Sequence, residues 1–430
     1  MDMNAPILLA LPTVHRLANG VTVVCDSAPG FETLALSVVA GRGARSEDAR
    51  RSGWSHLLEH MVFKGAGGRS AKAIVEEIEA DGGQINAATG QERTSFQVRA
   101  LAGGLPLAMA MTADLVLRPT LDATDLAKEI QVVGQEIAEA ADTPDDQVFE
   151  LAQAAAYAGQ PLGRPILGTA ETIATADPAT LEAWRAEIYA PDRLVVSAAG
   201  AVDENELLRL AEQAFAGATP AAEAGPPLAA TFTGGHARER RKLEQAHLVF
   251  MLPAPGIADP DHWALRLFAE MLGGGMSSRL FQEARERLGL AYAIDAWAEA
   301  YADTGVMGVY AGCAAADAGR LAAVAAGEIR ALARGPEAAE LARAKAQLKA
   351  SLFMGRESLA GRAEQAAAQI LVFGRLLAPA ELAEAIEAVR VEDVTRLAAR
   401  LIEPERHVAS VLGPKAAMDA PQRFEAALFG

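Results

Sequence analysis

Pro191-Asp192-Arg193-Leu194-Val195-Val196, running on to Gly200, and Pro404-Glu405-Arg406-His407-Val408, running on to Gly413, are two versions of one phrase. They stand about half the chain apart, and one constant offset puts Pro191 opposite Pro404 and Gly200 opposite Gly413. Each follows an amphipathic helical segment, in which Trp184 and Ile188 fall opposite Leu397 and Leu401. At the same offset the strand candidate at residues 34–39 falls opposite residues 247–252. Each half therefore reads as strands, helices, then a closing helix and strand. This is an α+β unit used twice, with two homologous domains of antiparallel-rich sheet flanked by helices. The Ala-, Gly- and Pro-rich stretch at 216–227 has no apolar period and reads as the joint. The expected division is residues 1–217, a linker at 218–230, and residues 231–430.

The chain's size agrees with two domains, since 430 residues exceed what one hydrophobic core usually serves. Hydrophobic residues make up 51% and charged residues 22%, the profile of a folded globular protein. Alanine is abundant and aromatics are sparse, which favours helical layers packed through small side chains. A net charge of −17 argues against a nucleic-acid binder, which needs a basic face. The only cysteines are Cys25 and Cys313, outside any CxxC pair, so neither a disulfide framework nor a thiolate metal site is expected. The apolar run at residues 7–11 is short, lacks a basic flank and meets Pro12. No apolar stretch approaches the roughly 20 residues of a membrane span. The expectation is a soluble, cytoplasmic protein without membrane or nucleic-acid partners.

The chemistry lies in His56-Leu57-Leu58-Glu59-His60, which follows Gly53 in a run of helical apolar spacing. Residues four apart share a helix face, so His56 and His60 can bring two imidazoles to one ion. Glu59 projects beside them and can take a proton from a water at the metal. This reversed arrangement is a recognised zinc-peptidase motif, and a catalytic zinc needs three protein ligands with one position left open. Positions 56, 59 and 60 fall opposite Ala269, Leu272 and Gly273, so only the first half carries the set. The third ligand is expected to be a carboxylate on the helical segment at 125–141. Glu129 and Glu136 share one stripe there, and Glu139 and Glu150 lie nearby. Spacing does not choose among the four.

These residues resemble the pitrilysin family of metallopeptidases, in its short-chain branch with the mitochondrial processing peptidase catalytic subunit and bacterial relatives. The resemblance covers nearly the whole chain. It rests on Asn19-Gly20-Val21, the block 53–65, Asn86-Ala87-Ala88-Thr89, Glu129 through Glu136, and Ser277-Ser278-Arg279-Leu280-Phe281 through Tyr292. It implies one zinc ion (Zn2+) per chain on His56, His60 and Glu136, with Glu129 orienting the site and Glu59 as the general base. It implies further that Arg285 and Tyr292 reach over from the second half to hold the substrate carbonyl or the oxyanion. A clamshell of the two halves would then hydrolyse extended peptides. Longer relatives carry four such domains, so a homodimer is implied, with a heterodimer as the alternative. A non-catalytic scaffold subunit and a zinc-containing peptide-binding clamp are the rival functions.

Residues 81–89 followed by the alternating residues 94–99 read as a hairpin at a sheet edge. The resemblance adds that a peptide pairs with this edge through its main chain, with Asn86 and Ala88 as contact candidates. The Gly-rich run at 272–279 has no following Lys-Ser/Thr and is not a phosphate-binding loop, so a helix-to-helix turn is expected. Around Arg285 and Tyr292 the pattern is an amphipathic helix, a Gly stop and a strand.

Overall fold

The structure, a computed structural model, describes residues 11–218 and 228–430. The expected joint and the apolar run at 7–11 lie largely outside them. Thirteen strands are named in chain order: β1 (Thr13–Arg16), β2 (Thr22–Ser27), β3 (Thr33–Ala40), β4 (Gly65–Ala66), β5 (Arg69–Ser70), β6 (Gln84–Thr89) and β7 (Thr94–Leu101). They continue with β8 (Leu194–Gly200), β9 (Gly235–Arg240), β10 (Gln245–Ala254), β11 (Ala291–Ala300), β12 (Gly305–Ala314) and β13 (Val408–Gly413). One sheet has the order β1-β2-β8-β3-β7-β6 and the other β11-β12-β10-β13-β9, while β4 and β5 form a small separate hairpin. Among the described residues, only the β2–β8 and β13–β9 ladders of the two large sheets are parallel.

The duplication holds at element level. The offset that relates Pro191 to Pro404 also carries both ends of β2 onto those of β9, Thr22 onto Gly235 and Ser27 onto Arg240. It carries the helix Pro178–Ile188 onto Val391–Leu401 in the same way. Reversed, the second sheet reads β9-β13-β10-β12-β11, which is the first sheet's order without its outer strand β1. The central strand β3, Thr-Leu-Ala-Leu-Ser-Val-Val-Ala, is buried at all but its first residue. Such a run without alternation is what a strand covered on both faces requires.

What covers those faces joins the halves. The helix Leu359–Phe373, from the second half, lies across β3, β8 and β2. Ala363, Ala366 and Ala367 meet Val24, Ala35, Val39, Val195 and Ala199 of the first sheet. In return the helix Pro144–Ala156, from the first half, lies across β13, β10 and β9. Its Val148, Ala152 and Ala156 pack with Val249, Met251, Val408 and Leu412. The abundant alanines let these helices approach their sheets closely. Arg362 on the exchanged helix donates through Nε and Nη2 to both oxygens of Asp26 on β2 at 2.7 and 2.5 Å, with both residues 4% exposed.

Two features place the site. β6 is the free edge of the first sheet, and the helix Trp54–Val62 packs beside it. A second helix, Ala123–Asp142, crosses Trp54–Val62. Its start is held by Asp122, which accepts from the amides of Thr124 and Asp125 at 2.8 and 3.2 Å.

Candidate metal centre

Trp54–Val62 buries Trp54, Leu57, Leu58, Met61 and Val62, which leaves His56, Glu59 and His60 on its half-buried face. Its entry is unusual. Gly53 has φ of +91°, and a Cβ there would lie 2.5 Å from the carbonyl oxygen of Leu167, so only glycine fits. Gly53 has no side chain with which to cap the helix. The buried Glu47 does that work, its carboxylate accepting from the amides of Gly53 and Ser55 at 2.8 and 2.7 Å. Burial nevertheless pushes its carboxyl up to about 7. Arg164 donates to the Glu47 backbone carbonyl.

The imidazoles of His56 and His60 sit edge to face with centroids 4.7 Å apart. Glu136 Oε2 approaches His60 Nε2 at 3.5 Å and His56 Nε2 at 3.9 Å. One donor atom from each of the three lies within 4.8 Å of the others. These separations are too long for hydrogen bonds and near the spacing of about 3.4 Å that tetrahedral bonds of about 2.1 Å impose between ligand atoms. Burial, reinforced by His60, pushes His56 down to about 4, so its imidazole is neutral and its lone pair free. The residues present fit a divalent zinc-like ion.

Glu129, buried two helical turns before Glu136, stands outside the converging trio. Its Oε2 stands 3.2 Å from His60 Nδ1 and its Oε1 2.7 Å from Lys64 Nζ. Nδ1 therefore carries the ring proton, which leaves Nε2 to face Glu136. Glu139 and Glu150 make no hydrogen bond or ion pair with either histidine among the described residues. Of the four candidates, the contacts thus separate a ligand-type carboxylate from an orienting one.

Glu59 Oε2 accepts from Thr89 Oγ1 at 2.6 Å, and burial raises its carboxyl above the ordinary range. Thr89 closes β6, so the base is tied to the sheet edge. Asn86 and Ala88 are exposed on β6, opposite Gln97 and Ser95 of β7 in an antiparallel hairpin. The Gly-rich run joins two helices as expected. Arg285 lies in the π-wound helix Phe281–Arg287 and Tyr292 on β11, with the stop at Gly289, whose φ is +63°. Both side chains are exposed, and Arg285 stacks over Phe281 at 4.8 Å. Among the described residues, no hydrogen bond or ion pair joins either to His56, Glu59, His60 or Glu136.

Glu47, Lys64 and Thr89 had no signal in the sequence as site residues. A cap supplied from well ahead of the helix fits no local pattern, and Thr89 reads as an ordinary strand threonine.

Residues 22–170 match the family described as Insulinase (Peptidase family M16), and residues 175–348 match Peptidase M16 inactive domain. A Rickettsia bellii protein named "Uncharacterized zinc protease" is 36% identical over 402 residues, 93% of this chain and 97% of its own. The chain belongs to the M16 (pitrilysin) peptidase family. Its fold is shared with a protease from Helicobacter pylori, at 21% identity and a TM-score of 0.87 over 94% of this chain and 100% of that one. A peptidase M16 inactive domain from Pseudomonas fluorescens is similar at 20% identity and a TM-score of 0.88, over 94% and 98% of the two chains. No helix among the described residues is long and apolar enough to cross a membrane.

Proposed function

We propose that this chain is a zinc-dependent endopeptidase that cleaves extended peptides. The observation that carries this reading is the placement of Glu59 between the trio His56, His60 and Glu136 and the free edge of β6. Zinc held by that trio would supply a Lewis acid, lowering the pKa of water and polarising a carbonyl.

The chain's own groups do the rest. A peptide adding to β6 bonds through its main chain, so recognition depends little on side-chain sequence. Asn86 and Ala88 then face the substrate strand. Glu59 is held by Thr89 through one oxygen, which leaves the other to take a proton from the attacking water and deliver it to the departing amide nitrogen. Its burial-raised pKa suits both directions of transfer. His60, steered by Glu129, keeps Nε2 on the metal side throughout. Arg285 and Tyr292 enter this reading as donors for the developing oxyanion; their exposure leaves them free to move. A homodimer supplying four α+β units, in the cytoplasm, completes the proposal.

Digestion of a mixed peptide library, read by mass spectrometry with and without a chelator, tests it. Cleavage should stop on chelation and return with zinc. The Glu59→Gln protein should keep its zinc and lose cleavage by at least about 100-fold. Chelator-insensitive cleavage would sink the zinc mechanism. A scaffold or a peptide-holding clamp would show no cleavage in the wild type.

A further inference from the structure

On the second sheet, separate from the one that holds β6, another set of metal-ligating side chains converges. His236 is on β9, His407 immediately precedes β13, and Glu425 is on the C-terminal helix Ala420–Phe429. One donor atom from each lies within 4.8 Å of the others. The two imidazoles stand 5.6 Å apart at 66°, close to the 63° between His56 and His60. His236 Nε2 lies 3.2 Å from Glu425 Oε2.

His407 makes the cluster more than a surface ion pair. It is 3% exposed, and neither ring nitrogen has a hydrogen-bond partner. A buried polar group without a partner is costly and uncommon. Its ring is fixed between Phe424 and Phe429, with centroids at 6.2 and 5.2 Å, and its carbonyl accepts from Gly235 N at 2.7 Å. The imidazole is thus ordered and unpartnered. The set is not a vestige of the catalytic trio, because its positions fall opposite Val23, Leu194 and Glu212 of the first unit.

We infer that His236, His407 and Glu425 form a second divalent-cation site, of the zinc class, that pins the C-terminal helix to β9 and β13. Two imidazoles and one carboxylate are a borderline donor set suited to Zn2+ and its neighbours Co2+ and Ni2+. Glu425, with its side chain 47% exposed, leaves a remaining position to water. Burial lowers the pKa of both histidines and so keeps lone pairs available at neutral pH. One contact opposes the ion. Arg238 Nη2 stands 3.0 Å from His236 Nδ1, which puts the ring proton on Nε2, towards Glu425. Cation binding requires the other tautomer, with the exposed Arg238 guanidinium turned to solvent.

The test is metal stoichiometry on the full chain, by mass spectrometry of the metal after dialysis against buffered Zn2+, and by the visible spectrum with Co2+. The wild type should hold two equivalents, and a His56→Ala/His60→Ala protein one. Adding His236→Ala or Glu425→Gln, both on partly exposed side chains, should remove that remaining equivalent. Zinc should raise the Tm of the His56→Ala/His60→Ala protein but not of the triple variants. A single wild-type equivalent that disappears with His56 and His60 overturns the inference. So does an equivalent that persists unchanged in the triple variants.

Discussion

Glu129 divides its carboxylate between His60 Nδ1 and Lys64 Nζ, and so sets a tautomer without touching the metal position. Replacing it with Gln keeps the shape but removes the charge that both partners face. Zinc affinity should fall about 10- to 100-fold, read by competition with a chromophoric chelator; an unchanged affinity would remove Glu129 from the site. Glu47 offers a second residue-scale test. Its folded carboxyl sits at about 7 against an ordinary value of 4.5, so between those values the folded state binds the extra proton. Its contribution is therefore fully present below about pH 4.5 and is lost as pH rises to about 7. The stability difference between wild type and Glu47→Gln, followed by denaturant titration, should decline across that window and level off above it. The histidine pair was legible because a spacing of four on a helix is a local property. Spacing alone did not choose Glu136 over Glu129, because one stripe presents both; the family resemblance implied Glu136, and the crossing with Trp54–Val62 separates the two. Thr89 and Lys64 acquire their roles from partners distant in the chain, Glu59 and Glu129, which no single-chain pattern displays.

Among the elements, the pair of exchanged helices carries the most weight. Leu359–Phe373 lies on the first sheet through alanines, and the Asp26–Arg362 pair fixes its position in a setting from which water is excluded. Arg362→Ala should leave Asp26 as an uncompensated buried charge and cost about 3–5 kcal/mol. Replacing both residues with apolar ones of similar size should recover much of that loss. Chemical denaturation of the single and double variants measures both effects; additive losses would mean the pair is not coupled. The hairpin β6–β7, the helix-to-helix turn and the Gly stop at Gly289 were all legible, since turns and alternation are written locally. The exchange was not. An alanine-rich amphipathic helix reads the same whichever sheet it covers, and the deciding contacts, such as Ala363 with Ala199, join opposite halves of the chain.

For the whole molecule, the repeat offset was legible because insertions and deletions have hardly disturbed it. What it could not convey is that the two units are interlocked. Fragments cut within 219–227 should therefore behave unlike ordinary separated domains. Residues 1–218 alone would uncover the Val24, Val39 and Val195 patch that Ala366 and Ala367 shield. Each fragment expressed singly should aggregate, while co-expression should yield a soluble one-to-one complex, checked by size-exclusion chromatography. Two fragments that are each monomeric and cooperatively folded would contradict the interlock. The exchange also bears on ancestry. A primordial single unit lacking its reciprocal helix would have needed another copy of itself to supply one. A helix-swapped pair of identical chains would meet that need, and a single polypeptide holding both copies fixes their stoichiometry at one to one. In the joined chain only one copy carries the His56, Glu59 and His60 set, yet neither copy can be discarded, because the helix of each is part of its sibling's fold.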